Sequence, residues 1–264
     1  MRDKATVSNG YIEMQHAKFA GLNFRASEYS NVMILGAHSG NIGGEIYEHL
    51  TRADYYANVC MVDNAVEEGV LTFDLRETHP TLSKLYADTD ALIMCQGRTH
   101  LDWIERQSID NIHDQLTDSL YTHMVQTREF VEASIYRPYK KQIIYVGSMA
   151  YRQVLNGSSI YCAAKAGLNM FARCMAWELA PKGYDVYILH PGNVADSPMA
   201  ESTINQLCRY RGITRQEAER YWNTGNPRTT ILTKHDIAVL VEEILDNKMM
   251  YAAGNPIDLT GGQR

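Results

Sequence analysis

Apolar and polar positions follow two different periods along this chain. From residue 31 onward, short runs rich in β-branched residues are separated by longer segments in which apolar residues recur every three or four positions. The first pattern predicts strands and the second predicts helices, so the chain is predicted to form successive βαβ units around a parallel sheet. The predicted strands are residues 32–35, 58–62, 70–73, 91–95, 142–146, 185–189 and 256–259.

The fold class follows from this order of elements. Seven strands with helices between them predict an α/β fold with a doubly wound, seven-stranded parallel sheet. No internal repeat and no linker rich in Pro, Gly or Ser interrupts the series, so residues 31–264 are predicted to form a single domain. Residues 1–30 are predicted to be an N-terminal extension of that domain.

Composition and charge exclude several classes of protein. A chain of 264 residues with 45% apolar and 21% charged residues can bury a large core. Its 31 acidic and 25 basic side chains give a net charge of −6, which argues against nucleic acid as a partner. No apolar run approaches the roughly 18 residues of a membrane helix, and the five cysteines have neither zinc nor disulfide spacing. We therefore expect a cytoplasmic protein without a metal site.

A glycine-rich turn joins the first predicted strand to the first predicted helix. It reads Gly-Ala-His-Ser-Gly-Asn-Ile-Gly-Gly over residues 36–44. Such glycines let the backbone turn tightly and approach a pyrophosphate, which the N–H groups at a helix start stabilise. The residues predicted to bind the phosphates of a dinucleotide are Gly36, Ser39, Gly40, Asn41 and Ile42.

Two aspartates at strand ends are candidates for binding the adenosine part of such a cofactor. Asp63 ends the second predicted strand, 23 residues after Gly40, where an acidic side chain accepts hydrogen bonds from the adenosine ribose. A carboxylate there repels a 2′-phosphate, so NAD is predicted in preference to NADP. Asp74, after the third strand, is a further candidate for contacting the adenine. The alternative for Asp63 is a cap of the following turn.

A tyrosine and a lysine four residues apart open a long predicted helix. Tyr161 and Lys165 share one helical face because side chains four positions apart lie one turn from each other. The same spacing occurs at Tyr136 and Lys140, but Pro138 between them would break a helix. The pair at positions 161 and 165 is therefore the candidate for chemistry.

Four motifs in this order resemble the short-chain dehydrogenase/reductase family. They are the glycine-rich turn, Gly147-Ser148 after the fifth strand, the Tyr161/Lys165 pair, and His190-Pro191-Gly192 after the sixth strand. The resemblance covers residues 31–264, and the closing stretch 254–262 is similar to the C-terminal strand of that family. It implies a Rossmann fold, a nicotinamide cofactor, and a homodimer or homotetramer in which two long helices pair across a two-fold axis.

The resemblance also implies roles for individual side chains. Tyr161 is expected to act as the acid/base, with Lys165 stabilising its phenolate, because a free tyrosine has a pKa of about 10. Ser148 is expected to hydrogen-bond the substrate oxygen. Ser119 stands where the family has an asparagine that holds a water of the proton relay. Further residues expected to contact the cofactor are Gly97, Tyr161, Lys165, Pro191, Gly192 and Val194.

Three departures from the family pattern motivate other hypotheses. The third glycine of the turn, Gly43, comes one residue later than usual, Cys95-Gln96 replaces Asn-Ala before Gly97, and Ser119 replaces the relay asparagine. One alternative is therefore a nucleotide-binding sensor or scaffold with weak or no catalysis. Another alternative within the fold is a sugar-nucleotide epimerase or dehydratase, which would use the same tyrosine and lysine.

The segment 196–230 falls where the family has a substrate lid. Arginines in a lid can bind phosphate or carboxylate groups, although a solvated helical face is the alternative. The function expected from all these features is an NAD(H)-dependent oxidoreductase that interconverts a secondary alcohol and a ketone on a small polar molecule. The arginines of this segment are Arg209, Arg211, Arg215, Arg220 and Arg228.

Three histidines fall near the predicted carboxyl edge of the sheet. They are His38, His100 and His190, and none has a metal-ligand partner at a recognisable spacing. For each of them, a surface histidine with satisfied hydrogen bonds is favoured over one that lines a pocket.

Overall fold

Seven strands form one sheet in the part of the chain that the computed structural model describes, which comprises residues 31–52, 58–64, 66–137, 140–224 and 231–262. The predicted extension 1–30 and Arg228 lie outside these residues. The strands are β1 (Asn31–Leu35), β2 (Asn58–Asp63), β3 (Val70–Thr72), β4 (Ala91–Met94), β5 (Lys141–Val146), β6 (Tyr184–Pro191) and β7 (Pro256–Leu259).

The sheet is parallel and has the order β3-β2-β1-β4-β5-β6-β7. The chain runs outward from β1 to one edge, returns to place β4 on the other side of β1, and continues to the opposite edge. This reversal opens a crevice at the carboxyl ends of β1 and β4, where doubly wound sheets bind ligands. The predicted α/β class and doubly wound Rossmann sheet are confirmed, with strand ends that differ from the predictions by one or two residues.

Helices cover both faces of this sheet. Helices α1 and α8 pack on one face, whereas α2, α4 and α5 pack on the other. The two helices α6 and α7 pack on each other beyond β6 and share a small separate core. The bounds are α1 (Ile42–Arg52), α2 (Pro80–Asp88), α3 (Ile109–Leu116), α4 (Thr122–Ser134), α5 (Ser159–Leu179), α6 (Pro198–Arg211), α7 (Arg215–Asn223) and α8 (Lys234–Leu245).

Side chains of the central strands alternate between the two helical layers. In β1, Val32 and Ile34 join the core beneath α1 and α8, whereas Met33 and Leu35 join the core on the opposite face. Because successive strand residues point to opposite faces, both faces of a fully covered sheet must be apolar. This explains why the central strands are continuous apolar runs rather than alternating ones.

A π turn, rather than a regular helical turn or a loop, joins helices α3 and α4. Helix α3 ends at Leu116, a π turn spans Thr117–Tyr121, and α4 begins at Thr122. Within this turn the N–H of Thr122 donates to the Thr117 carbonyl, five residues earlier. A π turn adds one residue to a helical turn and so rotates the side chains that follow it. Ser119 lies at the centre of the turn and is fully buried.

Two kinds of feature are absent from the described residues. No helix among them is long and apolar enough to cross a membrane. Within the same residues, no group of His, Cys, Asp and Glu side chains is arranged to hold a metal ion.

Candidate active site

The glycine-rich turn after β1 has a backbone that larger residues cannot follow. Gly36 and Gly40 have φ angles of +70° and +81°, which L side chains rarely adopt. A Cβ at Gly36 would lie 2.5 Å from the backbone nitrogen of Gln96, and a Cβ at Gly44 would lie 2.2 Å from the carbonyl oxygen of His38. The turn is therefore wound tightly against the loop that follows β4.

Asn41 fastens this turn to helix α1. Its Nδ2 donates to the Gly36 carbonyl at 3.0 Å, and its Oδ1 accepts from the N–H groups of Gly44 at 2.8 Å and His38 at 3.3 Å. Since α1 begins at Ile42, these contacts cap the start of the helix with an asparagine side chain. The late third glycine is thus accommodated without loss of the strand, turn and helix geometry.

Two charged side chains that the sequence analysis missed contact the same turn. Glu67 Oε2 accepts from the Ser39 N–H at 3.2 Å, and hydrogen bonds from the side chain and backbone of Ser39 lower the pKa of this carboxyl. Lys234, at the start of α8, donates from Nζ to the Gly40 carbonyl at 2.8 Å. The available signal was position alone, because Glu67 follows β2 and the end of β2 lies beside the turn.

A cavity of about 220 Å³ opens beside the turn, at the carboxyl ends of β1, β2 and β4. Ser39, Gly40 and Ile42 belong to the turn itself, next to this cavity. The structure thus brings the candidate residues from three strands and the turn to one crevice. Five of the residues predicted to bind the cofactor line the cavity: Gly36, Asn41, Asp63, Asp74 and Gly97.

The wall of this cavity carries more negative than positive charge. Asp63, Asp74 and Asp118 line it together with a single described guanidinium, that of Arg76. Arg76 donates from Nε and Nη2 to the two carboxylate oxygens of Asp118, at 2.8 and 3.0 Å. Because the Arg76 charge is neutralised by Asp118 in this bidentate pair, the negative charge of the cavity wall comes from the carboxylates of Asp63 and Asp74.

Ser148, Tyr161 and Lys165 come together between the end of β5 and the start of α5. Ser148 lies two residues beyond β5, and its hydroxyl lies close enough to the Tyr161 phenol to lower the pKa of that phenol. Lys165 lies one helical turn after Tyr161, with its Nζ 5.7 Å from the centre of the tyrosine ring. The same Nζ donates to the Val146 carbonyl at 3.3 Å. These contacts bring the serine hydroxyl, the phenol and the amine to one place.

Burial changes the acidity of two members of this group. Burial raises the pKa of the Tyr161 phenol to about 12, and the hydrogen bond with Ser148 acts in the opposite direction. Burial lowers the pKa of the Lys165 ammonium to about 8. At neutral pH the phenol is therefore protonated, while the amine is mostly charged and close to its titration range.

Ser119 lies next to Lys165 but uses its hydroxyl on the backbone. Its Oγ donates to the Arg98 carbonyl and accepts from the Arg98 N–H, both at 3.0 Å. A Cβ at Gly97 would lie 3.3 Å from Lys165 Nζ and 3.8 Å from Ser119 Oγ. The π turn thus holds the loop after β4 against the lysine, and a relay role for Ser119 stays a prediction.

His190 is buried in the interior rather than exposed at the surface. Its Nδ1 lies beside the backbone of Ser148, and its Nε2 lies 3.0 Å from Asn169 Oδ1. The expectation of a surface histidine is wrong for this residue, because β6 continues to Pro191 and places the ring between Gly147 and α5. His38, by contrast, is half-buried and lines the cavity.

The segment after β6 is held between β7 and the start of α8. Pro191 is in register with Leu259, and the Gly192 N–H donates to the Leu259 carbonyl at 2.9 Å. Val194 is buried and forms an isolated parallel bridge with Leu232. These contacts fix the backbone of three expected cofactor-binding residues at the same edge of the sheet as the glycine-rich turn.

The lid segment forms α6 and α7, and two of its arginines are engaged with other lid side chains. Arg215 pairs with Glu201 and Glu219, at 2.7 and 2.8 Å. Arg211 lies over the Tyr221 ring, 3.9 Å from its centre. Arg215 is thus neutralised within the lid, which favours the solvated-face alternative for this residue.

Comparisons with known proteins agree with this geometry. The chain matches the family model for short chain dehydrogenases over residues 30–207. It is similar to sorbitol-6-phosphate 2-dehydrogenase of Escherichia coli (strain K12), with 25% identity over 182 residues that cover 69% of this chain and 70% of the relative. The relatives in these comparisons are dehydrogenases and reductases of polyols, hydroxy acids and ketoacyl compounds.

Solved structures show the same fold. The crystal structure of sorbitol-6-phosphate 2-dehydrogenase from Erwinia amylovora is similar at a TM-score of 0.77 and 24% identity, covering 88% of this chain and 99% of that one. A variant of actinorhodin polyketide ketoreductase, solved with NADPH, is similar at a TM-score of 0.78 and 21% identity, covering 90% and 99%. Together with the family match, these findings place the chain in the short-chain dehydrogenase family, as an oxidoreductase.

Proposed function

We propose that this chain is an NAD(H)-dependent oxidoreductase that interconverts a secondary alcohol and a ketone on a small polar molecule. The observation that carries the proposal is the meeting of three side chains. The Ser148 hydroxyl lies close enough to the Tyr161 phenol to lower its pKa, and Lys165 lies one turn away on the same helix. A Cβ at Gly97 would lie 3.3 Å from Lys165 Nζ, and Gly97 also lines the cavity, so the lysine of this group adjoins the crevice. A pure nucleotide sensor has no need for a buried amine beside a phenol.

The protonation states support a proton transfer at the Tyr161 oxygen. A protonated phenol can donate to the oxygen of a carbonyl as that oxygen gains charge, and the Ser148 hydroxyl can donate a second hydrogen bond to it. The nearby Lys165 ammonium stabilises the phenolate that remains. In the direction of alcohol oxidation, the same phenolate accepts the hydroxyl proton.

The crevice fits a nicotinamide dinucleotide, which members of this family use in the form of NAD or NADP. Both polar atoms of the Gln96 side chain are buried and have no hydrogen-bond partner among the described residues, although this residue lines the cavity. Buried polar atoms are costly unless paired, so a ligand is the expected partner. The residues proposed to hold it are the turn 36–42, Asp63, Asp74, Gly97, Lys165, Pro191, Gly192 and Val194. When bound, the nicotinamide dinucleotide supplies or accepts the hydride.

We infer a preference for NAD from the charge around the turn. Asp63 lines the cavity, and Glu67 lies against Ser39. The negative charge of a 2′-phosphate on the adenosine ribose is repelled by carboxylates at this end of the cavity, which lowers the affinity for NADP relative to NAD. The relative solved with NADPH shows that the fold also accepts the phosphate, so the preference rests on these side chains.

Fluorescence titration of the purified protein is expected to give a Kd at least about tenfold lower for NADH than for NADPH. Glu67→Gln is expected to narrow this ratio by strengthening NADPH binding, because it removes a negative charge beside Ser39. Glu48→Gln is the matched control, since Glu48 is an exposed residue of α1 paired with Arg52. Equal Kd values for the two cofactors in the wild type would contradict the NAD assignment. Binding of neither would contradict the dehydrogenase proposal.

We also propose a homodimer or homotetramer built on α4 and α5. Apolar side chains are exposed along this side, with Trp177 and Met170 on α5 and Met124 on α4. An exposed apolar face of two adjacent helices is typical of a subunit interface.

The free thiols of the five cysteines are consistent with the expected cytoplasmic location.

Trp177→Glu is expected to convert the protein to a smaller species, because it places a charge on the side chain that is 85% exposed on α5. Light scattering after size-exclusion chromatography measures the mass. Tyr136→Glu, at an equally exposed aromatic side chain beyond the end of α4, is the control and is expected to leave the mass unchanged. A wild-type mass equal to one chain at micromolar concentration would contradict the proposed interface.

A further inference from the structure

A fully buried imidazole lies directly behind the serine of the proposed catalytic group. His190, near the end of β6, has Nδ1 3.2 Å from the backbone nitrogen of Ser148 and 3.1 Å from its carbonyl oxygen. On the other side of the ring, Nε2 lies 3.0 Å from Oδ1 of Asn169, which belongs to α5. The imidazole therefore connects the loop that carries Ser148 with the helix that carries Tyr161 and Lys165.

The hydrogen-bond network determines which ring nitrogen carries the proton. An amide oxygen only accepts, so the contact with Asn169 requires the proton to be on Nε2. In a neutral imidazole Nδ1 then has a lone pair, and it accepts the N–H of Ser148. The Ser148 carbonyl is satisfied separately, since it accepts from the Tyr151 N–H at 3.0 Å.

The ring is held in this position by its neighbours. Tyr151 stacks on it, with ring centres 3.8 Å apart and planes 21° apart. On the strand side, Gly147 leaves the necessary space, because a Cβ there would lie 2.5 Å from Nδ1. A ring confined by a stacked tyrosine, a glycine backbone and an amide oxygen has little freedom to rotate.

Charges around His190 keep the ring neutral. Burial lowers the pKa of this imidazole to about 4, the Ser148 carbonyl raises it, and the cations of Lys165 and Arg152 lower it further. Arg152 is itself paired with Asp258 at 3.0 Å. Nδ1 therefore remains an acceptor throughout the neutral range, and the Ser148 N–H keeps its partner.

We propose that His190 is a positioning residue that accepts the backbone N–H of Ser148 and, through Asn169, fixes the Ser148 hydroxyl against the Tyr161 phenol. This inference rests on the proposed function, in which Ser148 and Tyr161 act on the substrate oxygen. The hydroxyl and the phenol come from different elements, so their alignment depends on links between β5, β6 and α5. A misplacement of a reacting group by about 1 Å can reduce turnover roughly 10²-fold.

Two substitutions separate the two contacts of the ring. In His190→Asn, the amide oxygen reaches the place of Nδ1 and can accept the Ser148 N–H, whereas the contact with Asn169 is lost. In His190→Gln, the longer amide reaches the place of Nε2 and keeps the contact with Asn169, whereas the Ser148 N–H loses its acceptor. We expect the Asn variant to retain most of the wild-type kcat and the Gln variant to lose at least about tenfold.

The pH profile provides a readout that a merely structural role would not change. The hydrogen bond from Ser148 lowers the pKa of Tyr161, so a misplaced serine raises it. We expect the apparent pKa on the alkaline side of the kcat profile to rise in His190→Gln and to stay at the wild-type value in His190→Asn. The Kd for NADH is expected to be unchanged in both variants. Equal kcat values and equal pH profiles in the two variants would overturn the proposal.

Nuclear magnetic resonance of protein labelled with ¹⁵N in histidine tests the geometry without any substrate. We expect one imidazole with the proton on Nε2 that does not titrate between about pH 5.5 and 8, identified by its absence from His190→Asn. A proton on Nδ1, or titration near the ordinary histidine pKa, would contradict the proposed hydrogen bond. Asn169→Leu serves if the histidine variants unfold. It removes the acceptor that keeps the ring proton on Nε2, so the proton moves to Nδ1, the Ser148 N–H loses its acceptor as in His190→Gln, and kcat and the pH profile are expected to change in the same way. Full turnover in Tyr161→Phe would instead contradict the proposed function, whatever the spectra show.

Discussion

Tyr161→Phe is expected to lower kcat by roughly 10³-fold and to leave the Kd for NADH within error of the wild type. The substitution removes one hydroxyl that lies beside the Ser148 side chain, and it leaves the ring and the neighbouring Lys165 in place. Steady-state kinetics on the best compound in a panel of polyols, hydroxy acids and their ketones measures the loss. In the proposed mechanism the phenol is the proton donor for the carbonyl oxygen, and water at neutral pH is a poor substitute.

Tyr184→Phe is the matched control for this experiment. Tyr184 is also buried, and its hydroxyl is hydrogen-bonded to Ser134 Oγ at 2.8 Å, at the amino end of β6. Its removal costs one buried hydrogen bond, about 1 kcal/mol of stability, and is expected to leave kcat unchanged. Retention of turnover in Tyr161→Phe would show that another group transfers the proton.

Gly36→Ala is expected to destabilise the protein by about 3 kcal/mol and to abolish measurable binding of NADH. The added methyl group would lie 2.5 Å from the Gln96 nitrogen and 2.7 Å from its Cα, so backbone must move against backbone. The positive φ of +70° adds strain for any L side chain. Urea unfolding of the cofactor-free protein measures the loss of stability separately from the loss of binding.

Gly40→Ala separates the clash from the backbone strain. Gly40 has a similar φ of +81°, yet an added Cβ there would meet no described atom within 4 Å. Its expected cost is therefore only the left-handed conformation, about 1 to 2 kcal/mol. Equal unfolding free energies for Gly36→Ala and Gly40→Ala would show that the loop after β4 makes no steric clash with a side chain at position 36.

The sequence was sufficient to predict the sheet because local periodicity and central burial point to the same answer. From Val32 to Leu35, β1 is apolar on both faces, as strands of a parallel sheet covered by helices on both sides are. The conformation of a tight turn also depends mainly on its own residues, so the motif predicted the tight turn in which Gly36 and Gly40 have positive φ angles. Strand ends were less certain, and β6 runs two residues farther than predicted since Pro191 still pairs with Leu259.

The parts of the site that escaped prediction depend on contacts between distant segments. Glu67 reaches Ser39 and Lys234 reaches Gly40 through side chains whose local sequence has no periodic signal. His190 was expected at the surface because its neighbours Gly147 and Asn169 could not be located from periodicity. Burial of a polar residue by other segments is a property of the assembled sheet and helices, not of the local pattern.

The π turn Thr117–Tyr121 escaped prediction for another reason. Its residues have no glycine or proline that would mark a break, and α3 and α4 share one continuous helical pattern. What selects the wider turn is the buried position of Ser119, which holds both backbone groups of Arg98. A tertiary contact here overrides the local preference for a regular helix.

The packing of α8 on α1, together with the contact between Lys234 and Gly40, affects how the chain folds during its synthesis. Helix α8 covers the apolar face of α1, where Ile46 and Leu50 pack with Ile237 and Val241. During translation the first βαβ unit leaves the ribosome long before α8 is synthesised, so this face stays open to water or to a chaperone. The glycine-rich turn therefore reaches its final form only after the C-terminal helix has emerged and docked.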